Sequence, residues 1–542
     1  MCAREQKLKR LLHYGREIPF YQPGDKLTDE ECLSTLSSKI ILDTEIFTDA
    51  ANSIVKAFSD GYSAHPCMLV FALAVCAKQK KSSELREAAY KAAKTVCSSA
   101  EHLLLFVKLA NKIAATSEND SCWGSGLRKV CKQWYLQRDA KSLAEIVGKN
   151  KKLHGWFHKD IIKLIHLKTV EPDKAAIVKY ILFGIKAAKK EFGENSEANE
   201  VLNYLQAVED FKHLTDEQQA ARSIEIHHFT LDHVPPHLLK SKEVWGALIG
   251  NLPLPVLLKN LERIGYIGFL KPNSILVNKV VDALNDETAI AESHLHPAQV
   301  YIFLRNYEMS SKFLAAENAR KKRRAENGSG EPKKFTKAAP KPNPKIISGL
   351  HDLFTSTCKL FLAPTGLRYF VAIDLKSLSP TDKCYRCSHV SPAQAGVLTT
   401  LCLLHADRNV SVCVAGAREE LVPVELSASM TVQQGVKKLE EAGMQRMKIS
   451  TPIEWALKKK EEYDVFILIT DTIHKGNNNA ICALQKYREE MNIPKAKLIA
   501  VLLKCHFEPT WVRDLNDPGV FVVGGFDGLV PRLIEAFSRG AF

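Results

Sequence analysis

The sequence predicts an all-α array of helices followed by an α/β doubly wound sheet. Apolar residues recur at three- and four-residue spacing from about residue 30 to residue 305, which is the period of helices that bury one face. From residue 367 onward, short apolar runs without alternation are separated by helix-like stretches, a pattern typical of parallel strands buried on both faces. Between these parts, residues 308–345 are rich in Pro, Gly and Lys and predict a flexible linker.

The length of 542 residues favours at least two domains. We place a helical domain at 1–307, the basic linker at 308–345 and the α/β domain at 346–542. No apolar run is long enough for a membrane-spanning helix, and the charged N-terminus lacks the apolar segment of a secretory signal. The 14 cysteines have no disulfide-framework spacing, which favours a reducing compartment. These features predict a cytoplasmic protein with no membrane partner.

The helical domain shows its period most clearly in three apolar runs, at 68–75, 103–109 and 175–183. Pro and Gly fall mostly between such runs, where they mark connections between helices. Many short helices with short connections favour a helical-repeat array, in which each pair buries its face on its neighbours. The sequence has no strict period, so the repeats would be degenerate.

The α/β domain alternates strands and helices, which favours a mostly parallel sheet with ligands at the carboxyl ends of its strands. The predicted strands are 368–373, 410–415, 464–470, 496–503 and 520–524. The predicted helices are 391–405, 431–442, 452–462, 479–491 and 527–538.

The net charge of +14 is concentrated in two zones. Residues 101–190 hold 18 basic and 8 acidic side chains, and residues 301–350 hold 12 and 4. Phosphate is the commonest partner of such zones, because each cation that reaches it releases condensed counterions. A solubilising surface is the alternative that charge alone leaves open.

The linker carries two basic clusters separated by eight residues, which resembles a bipartite nuclear-import signal. Import would add a nuclear pool to the cytoplasmic one, whereas a solvated linker that helps to hold RNA is the alternative. The import candidates are Arg320, Lys321, Lys322, Arg323, Arg324, Lys333 and Lys334.

The first basic zone interleaves cations with imidazoles and aromatic rings. A helix over 158–168 would turn Ile161, Ile162 and Ile165 inward and present its cations and histidines to solvent. Cations contact phosphates, and rings can stack on unpaired bases; a solvated helix face is the alternative. The candidate RNA-binding residues are Arg128, Lys129, Lys132, Lys149, Lys151, Lys152, His154, His158, Lys159, Lys163, His166 and Lys168.

Two predicted strands end in carboxylates, Asp374 and Asp471, which lie 97 residues apart with helices between them. This arrangement resembles the metal site of a von Willebrand A-type domain. Such a site needs hydroxyl ligands, but Lys376 and Leu378 stand at two hydroxyl positions and Met447 at a third. We therefore expect only remnants of a site and no cofactor, with Lys376 paired to one carboxylate.

Two alternatives for the α/β domain stay open. A shifted register could bring Ser377 and Ser379 to a divalent cation such as Mg²⁺, and a phosphatase built on the two carboxylates would be an enzyme. Cys384 and Cys387 form a single Cys-x-x-Cys pair without the second pair that a zinc site needs. No phosphate loop, nucleophile elbow or zinc-protease motif occurs, so we predict a protein that is not an enzyme.

A series of motifs resembles the Ro autoantigen, or TROVE-domain, family across nearly the whole chain. In the first basic zone they are Trp123-Gly124, Leu127-Arg128-Lys129, Trp134-Tyr135, Gly155-Trp156, His158-Lys159-Asp160 and His166-Leu167-Lys168. Further matches lie at 66–73, 239–245, 257–261, 296–297 and 525–527. The chain is identified as a member of this family that departs from it in the linker, in the carboxylate site and at Leu153, where the family has a cation.

The resemblance implies a ring of HEAT-like helical repeats closed by a von Willebrand A-like domain. It also implies a monomer whose basic face binds Y-type noncoding RNA and whose cavity takes the 3′ ends of misfolded small RNAs, as quality control without catalysis. Protein partners would dock on the A-type domain. The alternative is a helical-repeat scaffold that binds proteins and no specific RNA.

Overall fold

A computed structural model describes most of the chain. The described residues are 3–24, 47–115, 123–149, 151–309, 341–416, 420–443, 445–471, 478–513, 515 and 517–542. The nuclear-import candidates and most of the predicted linker lie outside these ranges. Among the described helices, none combines the length and the apolar character needed to cross a membrane.

The chain folds as two compact units. The first comprises Met1–Gly15 and Lys26–Leu252, and the second comprises Arg16–Asp25 and Pro253–Phe542. The first unit is helical over almost all of its described length, and the second contains the sheet. The sequence prediction of a helical region followed by an α/β region is therefore confirmed.

The first unit is a succession of short helices with short connections. Several begin at a side-chain cap, as at Ser82, Asp139, Asp216 and Ser241, whose oxygens accept a backbone N–H of the first turn. The helices are α1 (Ala3–Tyr14), α2 (Phe47–Asp60), α3 (Pro66–Lys78), α4 (Ser83–Val96), α5 (Ala100–Ala115), α6 (Ser125–Leu136), α7 (Ala140–Gly148), α8 (His158–Ile165), α9 (Pro172–Phe183), α10 (Ile185–Phe192), α11 (Asn199–Phe211), α12 (Glu217–His227) and α13 (Lys242–Ile249).

Helix α3 is surrounded by other helices of the first unit. Every residue from Met68 to Ala77 is buried, because the helix contacts α1, α2, α4 and α5. A helix that is apolar all round needs neighbours on every side. One continuous apolar core extends from Leu8 to Leu205, so the helices that carry the candidate RNA-binding residues rest on the same packed interior.

The second unit joins helices to a seven-stranded sheet. Its helices are α14 (Leu254–Ile267), α15 (Ile275–Asn285), α16 (Glu287–Ser293), α17 (297–309), α18 (Pro344–Phe361), α19 (Pro392–Ala406), α20 (Val432–Ala442), α21 (Thr451–Lys459), α22 (Asn478–Glu490), α23 (Thr510–Arg513) and α24 (Val530–Ser538). Its strands are β1 (Phe20–Tyr21), β2 (Tyr369–Asp374), β3 (Val410–Ala415), β4 (Leu421–Pro423), β5 (Val465–Thr470), β6 (Lys497–Leu502) and β7 (Val520–Gly524).

The sheet has the order β1-β7-β6-β5-β2-β3-β4, and every pair is parallel except β3 with β4. The central strands β2 and β5 are buried along their whole length. The five strands predicted from apolar runs are thus confirmed. In the register of β2 and β5, Asp374 lies opposite Thr470, so Asp374 and Asp471 meet at the same edge.

The short strand β1 was not predicted. Phe20 pairs with Val522 of β7, and the hydroxyl of Tyr21 donates to Asp527 at 2.7 Å. A two-residue strand leaves no alternation to detect, and only the packing of the N-terminal segment along the sheet edge reveals it. Burial raises the pKa of Asp527 even though the Tyr21 hydrogen bond opposes that shift.

Candidate nucleic-acid interface and the strand-end carboxylates

The candidate RNA-binding residues lie on α6, on the connection from α7 to α8, on α8 and on the segment after it. Helix α8 packs against α6 and α9, so all of these pieces share one support. Exposed candidates are Lys129, Lys151, Lys152, Lys159, Lys163, His166 and Lys168; half-buried ones are Arg128, Lys132, Lys149 and His154; His158 is buried. The structure thus gives most of the cations the solvent access that phosphate contacts require.

A tight turn fixes the loop that carries Lys151 and Lys152. Backbone hydrogen bonds join Leu153 and Trp156 in both directions, at 3.0 and 2.9 Å. The two residues between them have φ values of 50° and 91°, which define a turn of type I′. The Trp156 ring packs edge-on to Trp123 at 5.8 Å between centroids. The loop is therefore anchored on the unit rather than free.

Hydrogen bonds cap helix α8 at both ends. The carboxylate of Asp160 accepts the N–H of Phe157 at 3.0 Å. At the other end the backbone of His166 adopts the left-handed conformation, with φ of 49°. The N–H groups of His166 and Leu167 donate to the carbonyl oxygens of Lys163 and Ile162, respectively, as in a Schellman motif. This ending buries Leu167 and leaves the His166 ring exposed, so the predicted helix over 158–168 stops at Ile165.

His158 was predicted to lie in the RNA-binding face, and its burial corrects that placement. Its Nδ1 lies 2.8 Å from the Tyr135 hydroxyl, and its ring stacks on Trp134 at 6.0 Å. Burial, helped by the charge of Arg138, lowers the pKa of His158 to about 4. We call Trp134, Tyr135, Arg138 and His158 the Trp134 cluster. It joins α6 to α8, the helices that carry several of the candidate RNA-binding residues.

This pKa predicts a pH dependence of stability. In the unfolded chain the histidine pKa is about 6.5, so between pH 6.5 and 4 the unfolded state binds a proton that the folded state does not. Stability should fall as pH falls through this window, by about 1.4 kcal/mol per pH unit and about 3 kcal/mol in all. Hydrogen exchange of α8 measured across the window should show this loss.

The matched control is His158→Gln, which keeps a polar side chain but cannot titrate. His13, His233 and His296 also have lowered pKa values because they are buried. The test is therefore the difference between wild type and variant. Equal pH slopes in the two proteins would contradict the assignment.

An exposed aromatic beside this face was missed by the sequence analysis. Phe183 ends the apolar run 175–183, yet it is 66% exposed, and Lys179 lies 4.8 Å from its ring centroid. Together with Phe157 and Lys159 it lines a cleft of about 510 Å³. An exposed ring near cations suits stacking on an unpaired base. Gly184, where α9 ends with a φ of 86°, was the signal in the sequence that Phe183 lies at a helix end.

The strand-end carboxylates hold cations of the chain itself. A guanidinium nitrogen of Arg446, Nη1, lies 3.2 Å from Oδ1 of Asp374 and 3.1 Å from Oδ1 of Asp471. Thr470 donates to the other oxygen of Asp374 at 3.3 Å, and Lys504 lies 3.5 Å from the other oxygen of Asp471. Each carboxylate oxygen therefore has a donor from this chain.

Lys376 was expected to pair with one of these carboxylates, and that expectation is wrong. Its side chain is exposed, whereas Arg446 pairs with both Asp374 and Asp471, and Lys504 pairs with Asp471. Lys504 also contacts Asp382 at 2.9 Å. Burial alone would lower the pKa of Lys504, but the hydrogen bond to Asp382 and the charge of Asp471 raise it.

The residues present do not fit a divalent cation. Ser377 and Ser379 are hydrogen-bonded within their own loop, where Ser379 also meets Thr381 at 2.8 Å. Met447 is buried where a hydroxyl would be needed. Within the described ranges, no group of three or more His, Cys, Asp or Glu residues could hold a metal ion. Mg²⁺ demands near-octahedral oxygen ligands, and this arrangement supplies a guanidinium instead.

The Cys384–Cys387 pair forms a small bridge of backbone pairing. Burial raises the pKa of both thiols, that of Cys387 to about 12. A zinc site needs four ligands, and among the residues that the structure describes, no group of three or more His, Cys, Asp or Glu side chains that could hold a metal ion includes this pair.

The fold and site together define a helical-repeat protein with an A-type domain in which an arginine joins the two strand-end carboxylates. The TROVE domain model matches residues 30–342, and the Ro60 vWA domain model matches residues 368–538. Because the first match alone covers more than half of the chain, this protein belongs to the TROVE-domain family.

Two relatives extend the comparison to most of the chain. The RNA-binding protein RO60 of Caenorhabditis elegans is 24% identical over 535 residues, covering 87% of this chain and 78% of the relative. The RNA-binding protein RO60 of Deinococcus radiodurans is 24% identical over 480 residues, covering 88% and 82%. The crystal structure of the Deinococcus radiodurans RO (RSR) protein superposes with a TM-score of 0.79 at 21% identity, covering 99% of this chain and all of that one. The described residues therefore share the fold of that protein.

Proposed function

We propose that this protein is the RNA-binding component of a small ribonucleoprotein. The observation that carries the proposal is the set of exposed cations around the turn at 153–156 and helix α8. Their supports are fixed by backbone hydrogen bonds and by the Trp134 cluster, so little backbone entropy remains to be lost on binding. Two relatives named as RNA-binding proteins support the same conclusion.

The RNA we propose is structured, small and noncoding, of the Y type, with the single-stranded 3′ ends of misfolded small RNAs as a second ligand. A folded RNA presents phosphates along a curved surface, which suits cations spread over several elements. Unpaired bases at its loops could stack on Phe183, which lies beside the cations. The protein would act as a monomer and without catalysis. Arg446 and Lys504 neutralise the carboxylates that a hydrolase would need.

We further propose a cytoplasmic location with a nuclear pool. The cysteines in the described ranges are all free thiols, as suits a reducing compartment. The basic clusters at 320–324 and 333–334 would supply nuclear import.

The experiment is a salt titration of binding between the purified protein and a small stem-loop RNA with a single-stranded end. We expect the logarithm of affinity to fall linearly with the logarithm of salt concentration, with a slope of about −4 for roughly five phosphate contacts. A duplex DNA of equal length is the control and should bind more weakly. No binding at low salt would reject the proposal and favour a protein-binding scaffold.

A further inference from the structure

We propose that Arg446 is the resident cation of the A-type domain. Its guanidinium takes the place between Asp374 and Asp471 that a divalent metal takes in metal-binding domains of this type. The domain would therefore fold and present its strand-end surface without any metal ion.

The first support is the burial of the two carboxylates. Asp374 is fully buried and Asp471 is 7% exposed, and they follow the ends of adjacent parallel strands. Two carboxylates held together away from water repel each other unless a cation lies between them. A single nitrogen of Arg446 contacts both at 3.1–3.2 Å. It is also 3.5 Å from the backbone carbonyl oxygen of Asp374, so the guanidinium is held by three acceptors.

The second support is the way the chain fixes the loop around Arg446. The N–H of Gln445, directly before it, donates to the carbonyl of Ala415 at the end of β3, at 2.7 Å. Met447, directly after it, is buried in the core of the domain together with Ile449. With both neighbours anchored, the backbone of Arg446 is held where its side chain can reach both carboxylates. Its other side is exposed to solvent.

The third support is chemical. Arginine keeps its charge at every physiological pH and offers several N–H donors in one plane, so it can bridge two carboxylates as a permanent cation. A metal would have to displace it and would then find Met447 where a hydroxyl ligand is needed. Arg446 therefore supplies the positive charge between the carboxylates, and the adjacent Met447 offers no oxygen ligand to a metal.

The test is a double-mutant cycle in the full-length protein, read as thermal unfolding with and without millimolar Mg²⁺. Arg446→Met keeps much of the side-chain volume but removes the charge, and we expect the unfolding temperature to fall by about 5–10 °C. Asp374→Asn should lower it in the wild type. In the Arg446→Met background the same Asp374→Asn change should raise it, because one of two unpaired carboxylates is removed.

Lys448→Met is the matched control, because Lys448 is an exposed cation two residues away. It should shift the unfolding temperature by no more than about 2 °C. Neither Mg²⁺ nor a chelator should change the wild-type value. The proposal is overturned if Mg²⁺ stabilises the wild type, if Arg446→Met is as stable as the wild type, or if Asp374→Asn fails to raise the stability of Arg446→Met.

Discussion

Replacing Lys149, Lys151 and Lys152 by glutamate is expected to lower the affinity for a small structured RNA about 100-fold or more. Each charge-assisted contact to phosphate contributes on the order of 1 kcal/mol, and about 1.4 kcal/mol corresponds to tenfold in affinity. Reversing the charges also adds repulsion. The salt slope should become shallower by about 3, one for each lost phosphate contact. A filter-binding or fluorescence titration at several salt concentrations measures both quantities.

The three lysines suit this test because none of them is buried: Lys151 and Lys152 are exposed and Lys149 is half-buried. Lys151 forms an exposed ion pair with Asp232 at 3.3 Å, and such pairs contribute less than about 1 kcal/mol. The unfolding temperature should therefore change little.

The control is Lys437/Lys458/Lys459→Glu, which makes the same change of charge on exposed positions of the A-type domain. It should leave most of the affinity intact. An equal loss in both triple variants would mean that only overall charge matters. An unchanged affinity in the first would remove the face around α8 from the interface.

Replacing Trp134 by alanine is expected to destabilise the first unit by about 3–5 kcal/mol. The indole is buried and its N–H donates to the carbonyl oxygens of Cys97 and Ser98 at 3.0 and 3.3 Å. The guanidinium of Arg138 lies 3.5 Å from its ring centroid, and His158 stacks on the ring. Removing the indole leaves a cavity, takes the N–H donor from the Cys97 carbonyl and removes the ring on which His158 stacks.

Hydrogen exchange of α6 and α8 under native conditions is the measurement, because it reports the opening of these helices directly. Trp134→Phe is the matched variant. It keeps an aromatic ring but loses the N–H donor, so it should cost only about 1–3 kcal/mol. If the two variants open α8 to the same extent, the hydrogen bonds rather than the packed indole hold the cluster together. RNA affinity should fall with Trp134→Ala in proportion to the opening of α8.

Sequence periodicity predicted the strands that are buried on both faces. The five strands from β2 to β7 other than β4 were placed to within one or two residues, because strands buried on both faces must be continuously apolar. The cations of the candidate face were also readable, since Lys side chains are rarely buried. His158 was wrongly predicted to face solvent. Helical spacing cannot distinguish an exposed ring from one that packs on Trp134 and Tyr135.

The remaining errors share a cause. Phe183 has the spacing of an inward residue, yet its exposure depends on where α9 ends and on which neighbours reach it. Strand β1 depends on a segment more than 490 residues away in sequence, and two residues carry no period of their own. Local patterns describe a segment and its own faces, whereas contacts over long sequence separation appear only in the folded chain.

The strand-end carboxylates show most clearly what the sequence determined and what only the tertiary structure decided. By itself, the sequence determined that Asp374 and Asp471 end parallel strands and that the hydroxyl ligands of a metal site are absent. It pointed to Lys376 as the neutralising charge, because Lys376 stands where a hydroxyl ligand is expected after Asp374. Tertiary structure decided instead for Arg446, which the pairing of Gln445 with Ala415 brings between the two carboxylates. Burying two like charges requires a cation, and the geometry of the fold determines which side chain can reach them.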